Sequence, residues 1–189
     1  MKLKKILFAF GVVLLLSSCQ TVRNFESQTS PVYVTNTKKI FILPPSCIEE
    51  PLDTMQMILG KFGEQTFTLL GLLQADETSV TLSLFNDFGT DMGTLFYDGY
   101  TASFASSVFP PELKAEYVIN DLQCAYYRTD KLEENFSRYG LKFIVEDEGK
   151  TRKVMSGNKL IEEIILNPGE VKIINHLRGY EYNLVQADE

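Results

Sequence analysis

Thr78-Ser79-Val80-Thr81-Leu82-Ser83-Leu84-Phe85, closed by Asn86-Asp87-Phe88-Gly89, is the stretch on which the fold turns. Val80, Leu82 and Leu84 share one side and Ser79, Thr81 and Ser83 the other, the period-two pattern of a strand with one face buried. Downstream, Thr94 to Tyr97 resumes an extended pattern, Asp98-Gly99 is a strong hairpin signal, and Tyr100 to Ala105 returns. Upstream, Asp76-Glu77 marks a turn, and Glu64 to Gln74 is apolar on both faces. Before that, Leu52 to Leu59 sets Met55, Met57 and Leu59 on one side. Ile40 to Leu43, stopped by Pro44-Pro45, opens the folded sequence. These short strands joined by local turns predict an antiparallel meander.

The pattern then changes period. After Pro110-Pro111-Glu112, Leu113, Tyr117, Leu122, Ala125 and Tyr126 recur at helical spacing. A second helix is predicted over about Asp130 to Arg138, with Leu132 and Phe136 four apart and Gly140 as its C-terminal cap. Strands return over 141–146, 151–155, 159–166, 171–174 and 180–185. The predicted class is α+β: two strand meanders with a helical insertion between them.

A large antiparallel sheet buries one face and wets the other. With only two or three helices to cover it, a curled sheet with helices across its concave face is the economical arrangement. An apolar cavity there has the profile of an acyl-chain site, and a filled β core accounts for the pattern equally well. Alternation nominates Met57, Phe67, Leu69, Val80, Leu82, Leu84 and Phe96 as the cavity wall, and a one-residue register shift would exchange them all.

The first nineteen residues carry a different message. Lys2, Lys4 and Lys5 precede an apolar run from Ile6 to Leu16, which is shorter than the roughly 20 residues that span a bilayer. It reads as an export signal. Leu16-Ser17-Ser18-Cys19 resembles a bacterial lipobox. That resemblance implies cleavage before Cys19, acylation there (a diacylglycerol thioether and an N-acyl chain such as palmitate), and attachment to a membrane. The expected organisation is therefore 1–18 signal peptide, 19–38 lipidated Cys19 and polar tether, and 39–189 folded domain. Gln20, in place of the Asp that commonly retains such proteins in the inner membrane, points to the periplasmic face of the outer membrane.

Net charge is −7, and losing three lysines with the signal brings it near −10. That argues against nucleic acid and against electrostatic docking on anionic headgroups. Cys47 and Cys124 would sit in a compartment that permits a disulfide; two small buried hydrophobes are the alternative. No catalytic residue is nominated. The single His176 lies in a turn beside Arg178-Gly179, and no Gly-x-Ser-x-Gly elbow occurs. No metal site or cofactor is expected: there is no close cysteine pair, and neither Glu146-Asp147-Glu148 nor Asp87 with Asp91 has calcium-loop spacing.

Several ordered stretches carry a family likeness: Leu43-Pro44-Pro45-Ser46, Leu95-Phe96-Tyr97-Asp98-Gly99 and Asn120-Asp121-Leu122-Gln123-Cys124-Ala125. Arg152 with Val154, and Gly179-Tyr180-Glu181-Tyr182, complete the set. Together with the lipobox they resemble LolB-like bacterial lipoproteins, related to the LolA/LolB carriers. The resemblance implies an unclosed half-barrel with a helical lid, accepting the acyl chains of a lipidated cargo from a LolA-like periplasmic donor. It also implies a protruding loop with an apolar tip. Asn86-Asp87-Phe88-Gly89 matches that loop with Asp87 in place of proline, so Phe88 takes the tip and Met92 is a second candidate. The expected function is non-catalytic acyl binding and transfer to the outer membrane; a scaffold lipoprotein of the same fold with a filled core is the alternative.

Overall fold

The computed structural model describes residues 29–109 and 113–187. The signal peptide, Cys19 and Pro110-Pro111-Glu112 lie outside the described residues. A short antiparallel pair, β1 (Val32–Tyr33) and β2 (Lys39–Ile40), comes first. The first meander follows as β3 (Leu52–Phe62), β4 (Gln65–Ala75), β5 (Val80–Phe85), β6 (Asp91–Tyr97) and β7 (Ala102–Ala105). Helices α1 (Ala115–Tyr126) and α2 (Thr129–Arg138) lead to β8 (Lys142–Glu146), β9 (Thr151–Ser156), β10 (Lys159–Asn167), β11 (Glu170–Asn175) and β12 (Tyr180–Gln186). Both meanders and the helical insertion stand in the predicted order.

The two meanders join through β12, which pairs antiparallel with β3 from Tyr180↔Phe62 to Gln186↔Gln56. The result is one ten-stranded antiparallel sheet in the order β7-β6-β5-β4-β3-β12-β11-β10-β9-β8, with β7 and β8 at its unjoined edges. Helix α1 touches β6 and β7 on one half and β10 and β11 on the other. Laid flat, β6 and β11 would stand about 24 Å apart at ordinary strand spacing. A helix about 10 Å across reaches both only if the sheet curls around it.

That enclosure explains the burial of α1, which is not confined to one stripe. Ala115, Ile119, Leu122 and Ala125 are buried, and so are Asn120, Asp121, Gln123 and Cys124. Helix α2 is amphipathic instead, burying Leu132 and Phe136, and Phe136 stacks on Phe143 of β8 at 5.6 Å. Its C-terminal turn closes at Gly140, whose φ of +69° is the left-handed conformation that favours glycine there.

The folded chain begins earlier than position 39. Val32 and Val34 are 2% and 7% exposed, and Arg178 donates to the Tyr33 carbonyl. The polar composition of 20–37 conceals two valines that the strand pair β1–β2 carries into the core. Cys47 and Cys124 are both buried free thiols.

Candidate functional site

The inner wall of the curl is built from alternate residues of β3 to β6. Leu69, Val80, Leu82 and Leu84 point inward and are buried. Phe67 shares their face near the end of β4, where it lies over Gly60 of β3 and remains 41% exposed. Met57 and Phe96, nominated with them, are on the opposite, outer face. Phe96 pairs with Thr81 while Leu95 pairs with Leu82, and Met57 stands between buried Gln56 and Ile58. Both strands are apolar on both sides, so alternation established the two parities and not which one faces α1. Gln56 turns inward because the Tyr126 hydroxyl of α1 is there to accept from its amide at 3.3 Å.

The concave face is filled in this conformation. Between α1 and the wall, a void of about 10 Å³ lined by Leu73, Val80, Ile119 and Leu122 has room for about one water molecule and none for an acyl chain. The same end of the wall meets a surface cleft of about 460 Å³, where Pro44, Pro45 and Ser46 face Tyr97, Asp98 and Gly99. Two segments singled out in the sequence, some fifty positions apart, thus meet; the Tyr97 hydroxyl donates to the Leu43 carbonyl at 3.0 Å.

The contact between α1 and the sheet is unusually polar. Asp121 of α1 accepts from the hydroxyls of Tyr180 and Tyr182 on β12, at 2.8 and 2.9 Å. Asn175 of β11 donates to Glu162 of β10 at 3.4 Å and to the Tyr180 hydroxyl at 3.3 Å. A β-bulge between Leu160 and Glu162 turns both Ile161 and Glu162 into the core. Arg152 of β9 donates to the carbonyls of Cys124 and Tyr127, and pairs with Glu49 at 3.1 Å. At the start of the domain, the Gln123 side chain accepts from the Leu43 amide and donates to its carbonyl.

Burial pushes the Asp121 carboxyl up to about 7; the hydroxyls of Tyr180 and Tyr182, the Asn120 side chain and the Arg178 charge pull the other way. Glu162 is raised by burial and by the facing Asp121 charge, with Asn175 opposing. Burial raises Tyr180, Tyr182 and Cys124 too. Two buried carboxyls facing one another hold a proton that neither would hold in water. Glu162 Oε1 and Arg152 Nε have no hydrogen-bond partner among the described residues. Sequence reasoning quoted Asp121, Arg152, Tyr180 and Tyr182 within its ordered stretches but assigned them no role. Buried charges scattered over three elements leave no local pattern; the one sequence signal is Asp121 inside an apolar helical run.

Phe88 is 92% exposed at the tip of the β5–β6 turn. Asn86 organises that turn in place of the missing proline: its side-chain oxygen accepts from the amides of Phe88 and Thr90 at 3.0 and 2.9 Å. Met92, the second candidate, packs against the core. No group of three or more His, Cys, Asp or Glu among the described residues is placed to hold a metal ion.

No curated protein matches the chain. A family model described as a protein of unknown function, DUF3261, matches residues 53–187, which takes in nearly all of the ten-stranded sheet and both helices. The chain belongs to the DUF3261 family.

Proposed function

We propose that this protein is a membrane-anchored lipoprotein of the LolB-like half-barrel type. It binds the acyl chains of a lipidated cargo beneath α1 and assists their transfer to the outer membrane. The observation that carries the reading is the polar, incompletely satisfied contact between α1 and the sheet. A permanently closed core would fill that contact with apolar side chains. Here Asp121, Glu162 and Arg152 take the place, with Glu162 Oε1 and Arg152 Nε unpartnered among the described residues. Each such buried group costs about 1–3 kcal/mol, so the closed state is held by a few specific latches over an imperfect interface. A helix held in this way is a lid that an acyl chain can displace, exchanging those costs for apolar contact with Leu69, Leu82 and Leu84. Phe88 supports the same reading as an apolar tip presented to a bilayer.

The filled concave face favours one other reading, a non-catalytic scaffold lipoprotein that binds a protein partner through its loops. Native mass spectrometry separates the two. A secreted Cys19→Ser form, purified without detergent and incubated with a triacylated lipopeptide, is expected to carry one acylated ligand. A photoreactive residue at Leu84 should label that ligand. A clean unliganded mass with no photoadduct would sink the carrier and leave the scaffold.

A further inference from the structure

The strand ends divide the molecule into two rims of different chemistry. One rim carries the β3–β4, β5–β6, β9–β10 and β11–β12 turns, the end of β7 and the start of β8, because neighbouring strands alternate in direction. Its apolar tips are Phe62, Phe88 and Val108, exposed by 60%, 92% and 56%. Exposed cations stand beside and beyond these tips: Lys61 next to Phe62, Arg178 before β12, Lys159 after the β9–β10 turn and Lys142 opening β8. Glu64, Asp87 and Asp91 are acids at its turns, and Glu181 at the start of β12 stands opposite Lys61 in register, 3.7 Å from Lys172. The opposite rim is mainly acidic, with Asp76 and Glu77, Asp98, Asp147 and Glu148, and Glu170 at its turns and Lys150 the cation among them. The net charge of −7 is therefore spread unevenly, with its excess of acid on the second rim.

The chain also enters the domain at the cationic rim. Arg178 lies 4.9 Å over the Tyr117 ring, and the Tyr117 hydroxyl accepts from the Tyr33 amide at 3.3 Å. Lys38 donates to the Gly140 carbonyl beside the start of β8. Cys19 precedes Thr29 by ten positions, so the chain between them reaches at most about 35 Å. An anchor at Cys19 thus attaches at this rim and keeps it within about 35 Å of the membrane.

We propose that this rim is a docking surface for an anionic phospholipid bilayer, with Phe62 and Val108 entering the interface beside Phe88 and with Lys61, Lys142, Lys159 and Arg178 meeting the headgroups. Whole-molecule charge excludes such docking only for a uniform surface. Here the acidic rim faces away, and the resulting dipole orients the domain on a negative surface. Apolar tips beside cations suit a bilayer, which offers hydrocarbon and negative charge at one boundary. The proposal deepens the carrier reading and rests on it for the anchor at Cys19.

The test uses the full lipidated protein in vesicles. Spin labels are placed at Gln65→Cys and Ser107→Cys on the proposed rim, and at Glu77→Cys and Glu148→Cys on the other. Buried Cys47 and Cys124 leave the introduced thiol as the one that reacts. In phosphatidylglycerol-containing vesicles, the labels at 65 and 107 should be protected several-fold from a water-soluble relaxation agent relative to those at 77 and 148. The protection should fall in purely zwitterionic vesicles, in high salt, and in Lys61→Glu/Lys142→Glu/Lys159→Glu. High salt makes the same point without a substitution. Equal exposure of both rims, or protection indifferent to lipid charge and salt, would overturn the docking surface. Lipopeptide delivery is read on the same vesicles: protected labels without delivery support the docking surface and sink the carrier, and delivery with unprotected labels does the reverse.

Discussion

Asp121→Asn isolates the acid beneath α1. Its carboxyl is held at about 7 in the folded protein against 3.8 unperturbed, with burial the largest cause. The folded state therefore binds the proton more tightly than the unfolded one. Stability is fully present below the unfolded value, falls as pH rises from about 4 to about 7, and is flat above that. Integrating the two titrations between about pH 5 and about pH 7.5 gives a loss of about 2–3 kcal/mol from this one group. Glu162, raised for the same reason, adds to the loss with the same sign. An asparagine oxygen still accepts from Tyr180 and Tyr182 but does not titrate, so the variant should lose correspondingly less. Urea titrations of the secreted Cys19→Ser form, with and without Asp121→Asn, read the difference. With a slope near 2 kcal/mol/M, the wild-type midpoint should fall by about 1 M more than the variant's over that range. Midpoints that move in parallel with pH would refute the assignment of a raised carboxyl to Asp121.

Three other outcomes are expected. Gly60→Ala places a Cβ 2.0 Å from Cζ of Phe67 and should cost about 1–3 kcal/mol in urea, most of it recovered when Phe67→Ala is added; equal cost in both backgrounds would refute the contact. Arg152→Met strands the Cys124 and Tyr127 carbonyls and should destabilise by about 3 kcal/mol while increasing acyl-lipopeptide uptake; unchanged uptake at an unchanged melting point would count against a latch. Cys47 and Cys124 are 8% and 0% exposed, with burial raising both thiols, so neither should react with a thiol reagent until the protein unfolds; rapid labelling of the native protein would show that α1 opens unaided.

Much of the architecture was legible because strand alternation and turn chemistry are local. Val80, Leu82 and Leu84 declare a one-faced strand, Asp98-Gly99 a hairpin, and Leu132 with Phe136 a helix, whatever the rest of the chain does. The order of two meanders around a helical insertion followed from those signals alone. Which face of a strand becomes inner is not a local property when both faces are apolar. Met55, Met57 and Leu59 look like the buried side of β3, yet Gln56, Ile58 and Gly60 turn inward. Tyr126 of α1 supplies the hydrogen bond that makes a buried Gln56 tolerable, and Gly60 leaves room for Phe67. The same holds for the Asp121–Glu162 pair, brought together from α1 and β10 by the curl, and for the separation of cationic and acidic rims. Sequence determined the elements, their order and a net negative charge. Only the closing of the sheet around α1 decided which residues face one another and where that charge lies, because burial, pairing and field depend on distances that no local pattern contains.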